Sequence, residues 1–258
     1  MFGDDPGGYD QARPDYPDRL YQILVERCGV GPGACAFEVG PGPGRFTERL
    51  LALGITYLAA VEPDARLADF LRERLGDSAA AVKIENSSFE EVDLPPASFD
   101  LGVAATSFHW LEAETALPKA LQLLRPGGCW AMWWNVYADA AENDPFARAT
   151  DDLFKDLSHT PSYGGVLRQA YGLDVPLRER DLTAAGFVDI EHEAIHWRKT
   201  MSSDEIVALT ATFSSVRLLP AVQNTEFLSR LRTIVDTQFG GAVDRGFVTP
   251  VYTARRPK

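Results

Sequence analysis

The chain is short of the features that mark specialised environments. It has three cysteines, Cys28, Cys35 and Cys129, spaced too widely for any CxxC pair. That excludes a zinc knuckle or a dithiol motif, and the expectation is buried free thiols in a reducing compartment. No apolar run approaches the roughly 18 residues a membrane helix needs, so no membrane partner is expected. The opening "MFGDDPGGYD" has neither the basic nor the apolar segment of a secretory signal, which points to a cytoplasmic protein. Basic residues are also scarce, 25 Lys and Arg against 37 Asp and Glu, a formal charge of −12. Because nucleic-acid binding rests on Lys and Arg, no nucleic-acid partner is expected. The oligomeric state is left open.

What is present is an ordinary globular composition, 45% apolar and 24% charged, over 258 residues, enough for one large α/β domain. The first half alternates strand and helix patterns. "PDRLYQILVERCG" reads as a helix with Pro17 at its first position and Leu20, Ile23, Leu24 and Cys28 on one face. "ACAFEVG", "ITYLAAVE", "AAVKIEN", "FDLGVAAT" and "CWAMWWNVY" read as five strands, the fourth almost wholly apolar, as in a parallel sheet covered on both faces. "AETALPKALQLL" is a helix interrupted or re-entered at Pro118, and "RPGG" a sharp stop. This alternation predicts a doubly wound, Rossmann-like α/β sheet. After about Ala138 come short helical pieces. "SHTPSYGGVLRQAYG" reads as a loop or broken helix, and "FVDIEHEAIHWRKTM" as a long strand. "SDEIVALTATF" and "TEFLSRLRTIVDTQF" are helices. "GFVTPVYTARR" is a final strand whose Pro250 suggests a bend or an edge.

"FEVGPGPGRFTERLL" places glycines at 40, 42 and 44 between a strand and a helix. A phosphate-binding GxxxxGK[ST] loop needs a lysine that is absent. The dinucleotide pattern GxGxxG finds Arg45 where its third glycine should stand, which argues against a nicotinamide-dependent oxidoreductase. Glu38 precedes the turn, and Pro41 and Pro43 remove two N–H donors from it. An acid and missing donors suit a cationic ligand better than a pyrophosphate. S-adenosylmethionine, with an ammonium, a sulfonium and no phosphate, is such a ligand. Glu62, 22 positions after Gly40 at the end of the second strand, is placed to accept ribose hydroxyls; an acid there also suits a helix start.

Together, "FEVGPGPGRFTERLL", "AAVEPDARL", "FDLGVAATSFHWLE" and "LLRPGG" resemble, in order, the class I S-adenosylmethionine-dependent methyltransferases. "YDQARPDYP" and "PVYTARR" are similar to its small-molecule branch of trans-aconitate methyltransferase-like proteins. The resemblance implies a seven-stranded sheet with the last strand antiparallel, in a single domain spanning 1–258. Its parts would be an N-terminal lid and first helix (1–36), a cofactor-binding core (37–137), a helical insertion near the active site (138–186) and a completing region (187–258). It implies S-adenosylmethionine as cofactor, leaving as S-adenosylhomocysteine, and a small-molecule acceptor. Gly40, Pro41, Gly42 and Gly44 would approach its methionine part with Glu38 near the ammonium, and Glu62 with Pro63 would hold the ribose. Ser88 and Phe89 would meet the adenine. Ser88 stands where the family often has an acid, and Glu90 could supply that contact. Tyr9 and Arg13 would belong to the lid, Arg13 pairing with the methionine carboxylate.

Methyl transfer is an in-line displacement that depends mainly on alignment and exclusion of water. A hydroxyl acceptor benefits from a base and a carboxylate does not. His109 in "ATSFHWLE" is the candidate base, although it could equally cap the next helix or pack on Trp110. Thr106, Phe108 and Trp110 are candidate walls around the sulfonium, the two aromatics reading equally as core. Tyr16, Trp134 and Asn135 are assigned to the substrate pocket. His192 and His196 share a strand face but find no third ligand, so no metal is expected. His159 could face substrate. The absence of an NPPY-like stretch after the fourth strand argues against methylation of nucleic-acid bases, and by analogy a carboxylate or hydroxyl is favoured over an amine. The alternative is a cofactor-binding protein of the same fold that transfers no methyl.

Overall fold

The computed structural model describes residues 5–76, 81–137, 144–155, 157 and 170–258. Short β-rich apolar runs give β1 (Cys35–Val39), β2 (Tyr57–Val61), β3 (Val82–Glu85), β4 (Phe99–Ala105) and β5 (Leu124–Trp133). They pair in parallel in the order β3-β2-β1-β4-β5. The long β8 (Ala242–Arg255) then runs antiparallel beside β5, and β7 (Val188–Ser202) runs antiparallel beside β8. A two-residue β6 (Val136–Tyr137) also pairs with β8, completing eight strands among the described residues. The fold is the expected Rossmann-like sheet with its last strand antiparallel.

Order reverses between β1 and β4, because the chain winds to β3 on one side and returns on the other. That reversal opens a crevice at the strands' carboxyl ends. Helices cover both faces. On one, α2 (Asp18–Cys28) and α3 (Arg45–Ala52) bury Leu20, Ile23, Leu24, Phe46 and Leu50 against Ala36, Leu58, Val103 and Trp133. On the other, α5 (Ala113–Leu123) packs Leu117 and Ala120 with Phe37, Phe89, Trp130 and Met132. From β5 onward, Trp130, Met132 and Trp134 share one core and Trp133 lies in the other, as the two-residue period of a strand requires.

Several local readings need correction. The N-terminal arm contains a helix of its own, α1 (Pro6–Ala12), started by Asp5, whose carboxylate accepts from Gly8 N–H at 2.9 Å. Pro17 caps α2 rather than opening it. α5 runs unbroken through Pro118, whose missing N–H costs one bond, to the carbonyl of exposed Glu114 near the helix start. "RPGG" lies inside β5 as an irregularity, where the pairing steps from Phe99–Leu124 to Leu101–Cys129. Pro250 does lie at a local edge: β7 pairs with it on one side, while on the other β8 pairs with β5 through Val251–Arg255 and with β6 at Phe247 and Val248, leaving a gap at Pro250. Cys28 and Cys129 form a disulfide because the end of α2 lies on β5, and Cys35 alone stays free.

Between β6 and β7, α6 (Pro145–Phe154) and α7 (Val175–Ala184) go to different places. α7 packs on β7 and α5 as a crossover helix. α6 joins α8 (Ser203–Ala211), α9 (Ser214–Arg217) and α10 (Ala221–Gln238) around a separate apolar cluster containing Phe146, Ile206, Val216, Leu231 and Phe247. Most of "SHTPSYGGVLRQAYG", including His159, lies outside the described residues. Among the described residues no helix is long and apolar enough to cross a membrane.

Candidate active site

A cavity of about 470 Å³ opens at the carboxyl ends of β2, β1, β4 and β5, under the N-terminal arm. Its size lies within the range of small-molecule sites. The walls gather residues far apart in sequence: Tyr9, Arg13 and Tyr16 from the arm, Gly40, Pro41 and Gly42 after β1, and Glu62 and Pro63 after β2. Ser88 and Phe89 follow β3, Thr106 and Trp110 follow β4, and Asn135 follows β5.

The glycine turn is shaped by contacts on two sides and openness on the third. A Cβ on Gly40 would stand 2.7 Å from Ser107 Cβ, and one on Gly44 would stand 2.2 Å from Leu71 Cδ1. Gly42, at φ 57°, meets nothing within 4 Å. So two glycines let the turn nest against β4 and α4 (Ala65–Leu75), and the middle one presents bare backbone to the cavity.

Glu62 is 4% exposed, and burial raises its pKa. Its Oε2 accepts from Gly42 N–H at 3.0 Å and its Oε1 from Asp64 N–H at 3.0 Å. Each oxygen keeps acceptor capacity for a hydroxyl in the cavity. Glu38 is fully buried behind the turn and does not line the cavity. Thr47 Oγ1–H donates to its Oε2 at 2.7 Å, while Oε1 finds no partner among the described residues. Burial pushes its pKa up to about 7, opposed by the Thr47 bond. A buried, unfilled acceptor beneath the glycine turn is consistent with a cationic group above it.

Phe108, His109 and Trp134 also stand outside the cavity wall. Phe108 is wholly buried in the core against Trp130. His109 is 8% exposed, and the Trp134 indole N–H donates to its Nδ1 at 3.0 Å. Burial and the nearby Arg13 cation lower its pKa to about 4. The ring is therefore neutral near pH 7, with Nδ1 occupied and the proton on Nε2. Neither nitrogen is free to accept a proton. Trp134 acts as the donor that fixes this tautomer.

The far end of the cavity is built differently. Tyr16 and Thr106 hydroxyls bond at 2.9 Å, and Thr106 sits at φ 57°, an uncommon conformation for a threonine. Trp197 Nε1–H donates to Thr249 Oγ1 at 2.9 Å, and Thr249 in turn donates to Asn135 Oδ1 at 2.7 Å. The indole takes one threonine lone pair, and the threonine proton goes to Asn135. The amide nitrogen of Asn135 is thereby turned to the carbonyls of Pro14 (3.4 Å) and Asp15 (3.5 Å) in the arm. Asp10 of α1 ties the other end of the arm, to Arg45 Nε at 3.0 Å and Arg74 Nη1 at 2.8 Å.

Sequence reasoning missed Tyr137, Asp10 and Ser107 as wall residues. Tyr137 follows the end of the fifth strand on β6, so the carboxyl-end rule that selected Trp134 and Asn135 applied to it too. Asp10 and Ser107 carried no such signal. Among the described residues no cluster of three His, Cys, Asp or Glu could hold a metal, and His192 packs against Tyr252 with ring centroids 4.7 Å apart and planes tilted by 36°.

Residues 37–132 match the methyltransferase domain family. The chain is 26% identical over 255 residues to an uncharacterized methyltransferase of Mycobacterium tuberculosis, covering 98% of this chain and 92% of that one. Among solved structures it is similar to a putative type II methyltransferase from Anaeromyxobacter dehalogenans (TM-score 0.64, 20% identity, 95% and 98% covered). It is also similar to phosphoethanolamine N-methyltransferase 2 of Haemonchus contortus in complex with S-adenosyl-L-methionine (TM-score 0.61, 15% identity, 99% and 57% covered). The strand order, the glycine turn with Glu62 at its mouth, and these likenesses agree: residues 37–132 carry a methyltransferase domain, in a chain that resembles the class I S-adenosylmethionine-dependent methyltransferases along its length.

Proposed function

We propose that the methyl group goes to an oxygen of a small acceptor, a carboxylate before a hydroxyl, seated at the β5 end of the cavity. The carrying observation is the chemistry of that end. Tyr16, Thr106, Asn135, Tyr137 and Arg13 are neutral or cationic there. The wall carboxylates Asp10, Glu62, Asp64 and Glu90 come from α1's latch to α3 and α4, or from the turns after β2 and β3. With His109 locked as a donor, no free base faces the acceptor among these residues. A carboxylate needs none, and a hydroxyl would.

When bound, the cofactor supplies an activated methyl on a sulfonium. In the reading supported here, Gly40, Pro41 and Gly42 receive its methionine part, Glu62 beside Pro63 accepts the ribose hydroxyls, and Ser88 and Phe89 flank the base. Thr106 and Tyr16, bonded to each other, wall the reacting centre and hold the acceptor in line, while Trp110 stands at the mouth. Alignment of this kind is worth roughly 7–11 kcal/mol without any proton transfer. Tyr9 and the arm shut out water. The test is turnover of methyl-labelled donor with a panel of small carboxylic acids, alcohols and amines. S-Adenosylhomocysteine and base-labile labelled esters should form together. Label found only in amines, or no S-adenosylhomocysteine formed with any acceptor, would sink the proposal.

A further inference from the structure

The sheet has two edges, and they are guarded unequally. β3 at one edge is four residues long, which offers little to another strand. β7 at the other edge runs 15 residues, and from Glu191 to Ser202 it pairs without interruption with β8. Its far side pairs with no strand among the described residues. In an antiparallel ladder, residues alternately turn their N–H and C=O toward the partner and away from it. β7 therefore carries a row of outward main-chain donors and acceptors along about 40 Å of edge. No proline or glycine interrupts it. Its one irregularity is at the start, where the register shifts between Val188 and Glu191 and Asp189 takes φ 48°.

Charged side chains commonly guard such an edge. On β7 they are sorted by sign: Asp189, Glu191 and Glu193 in the first half, Arg198 and Lys199 in the second. Laid parallel on its own copy, the strand would set acid beside acid. Laid antiparallel about a two-fold axis, it sets each half against the opposite sign. Opposed residues in a continuous sheet share a face, so odd positions meet odd and even meet even. Centred on Ile195, the register places Glu191 of each copy opposite Lys199 of the other, with Glu193 on the diagonal. The Glu191 and Lys199 side chains are 56% and 41% exposed, and within the chain they reach Arg27 and Glu205. On the other face the same register places Arg198 opposite His192. There α7 covers the start of β7, with Leu182 and Ile190 entering one core. Burial lowers the His192 pKa, and the nearby Glu179 carboxylate opposes the shift, so an acid stands beside His192 to receive Arg198. Centring on His196 instead would set Arg198 opposite Ala194 and lose this second match. We propose that β7 is a self-association edge, where two copies of this chain join their sheets antiparallel about a two-fold axis through Ile195. The occupant is a second copy because the sorted charges fit the strand's own reverse. Surface ion pairs are individually weak, so they select partner and register while main-chain bonds hold the strands together.

Sedimentation velocity on the full chain, from about 1 to 100 μM, should show a reversible monomer–dimer equilibrium. Glu191→Lys turns both symmetric pairs into lysine–lysine contacts, and Lys199→Glu turns both into glutamate–glutamate contacts. Each variant alone should dimerise about tenfold or more weakly than the wild type. Mixed one to one, the new lysine of the first meets the new glutamate of the second, and the native Lys199 meets the native Glu191. The mixture should therefore dimerise almost as the wild type does. Positions 191 and 199 of one chain stand about 27 Å apart along the strand, so contacts within a chain cannot produce this rescue. Hydrogen exchange of the wild-type β7 amides should also slow as the chain is concentrated, a readout that needs no variant. A chain that stays monomeric across this range overturns the proposal. So does a dimer whose β7 amides exchange at the monomer's rate, or one weakened by both variants whose mixture regains nothing.

Discussion

The two ends of the cavity are made by different means. At the β2–β1 end the ligand surface is mostly backbone, a glycine turn braced by one carboxylate, with Gly42 and Glu62 only 20 residues apart. At the β5 end it is side chains from remote segments: Arg13 with Thr212 across 199 residues, Arg13 with Tyr137 across 124, and Thr249 with Asn135 across 114. A backbone surface can present only a few chemistries, and it suits a ligand that never changes. A surface of side chains drawn from separate elements can change one residue at a time, and it suits a ligand that differs between relatives. On the proposed reading, the cavity joins a fixed donor half to an adjustable acceptor half.

The sharpest way to break the comparison is to put a side chain into the backbone half. Gly40 has φ 65°, and its Cβ would meet Ser107 Cβ at 2.7 Å. The Ser107 hydroxyl also donates to Val39 O, so it has little freedom to retreat. Gly40→Ala should strain the turn by about 1–3 kcal/mol and displace it from β4. S-Adenosylhomocysteine affinity, read by calorimetry, should fall about a hundredfold, with secondary structure retained by circular dichroism. Unchanged affinity would mean that the backbone half is softer than its packing indicates.

A smaller effect should follow from disturbing the acceptor half at a distance. Thr249 is fully buried and touches no ligand surface, yet it sets which way the Asn135 amide faces. Thr249→Val keeps the shape and removes the hydroxyl. Asn135 then loses the donor that anchors its oxygen, and only the long bonds from its amide nitrogen to the Pro14 and Asp15 carbonyls hold it. The arm should loosen, raising KM for the acceptor about tenfold with little change in kcat, and Thr249→Ser should restore it. Equal losses with Val and Ser would show a packing role instead.

The same division explains what was legible in the sequence. Strand and helix alternation, Gly40–Gly44 and Glu62 are local patterns, and each could be read from its own neighbourhood. The pairing of Cys28 with Cys129, the passage of α5 through Pro118 and the place of Pro250 between two ladders depend on what lies alongside, which no local period encodes. Of the residues expected around the reacting centre, Tyr16, Thr106 and Asn135 line the cavity, while Phe108 and Trp134 turn into the core. All but Tyr16, which comes from the arm, sit near the carboxyl ends of strands. That position selects candidates, but burial by a helix such as α5, invisible from a five-residue window, decides which way they face.

His109 should give the smallest catalytic effect and the clearest signature. It lies beside the adjustable half without belonging to it, since Trp134 holds Nδ1. With a folded pKa of about 4, below the ordinary 6.5 of an unfolded histidine, it binds fewer protons folded than unfolded between those values. Its contribution to stability is therefore present above about pH 6.5 and is lost as pH falls toward 4. His109→Asn, which can still offer an oxygen to the Trp134 indole, should leave kcat within about threefold. It should create no new ionisation in the rate profile between pH 6 and 9. It should also flatten the decline of the melting temperature from pH 6.5 to pH 4. A loss of a hundredfold or more in kcat, recovered as pH rises, would instead mean that a base acts here and that the ring turns away from Trp134 during catalysis.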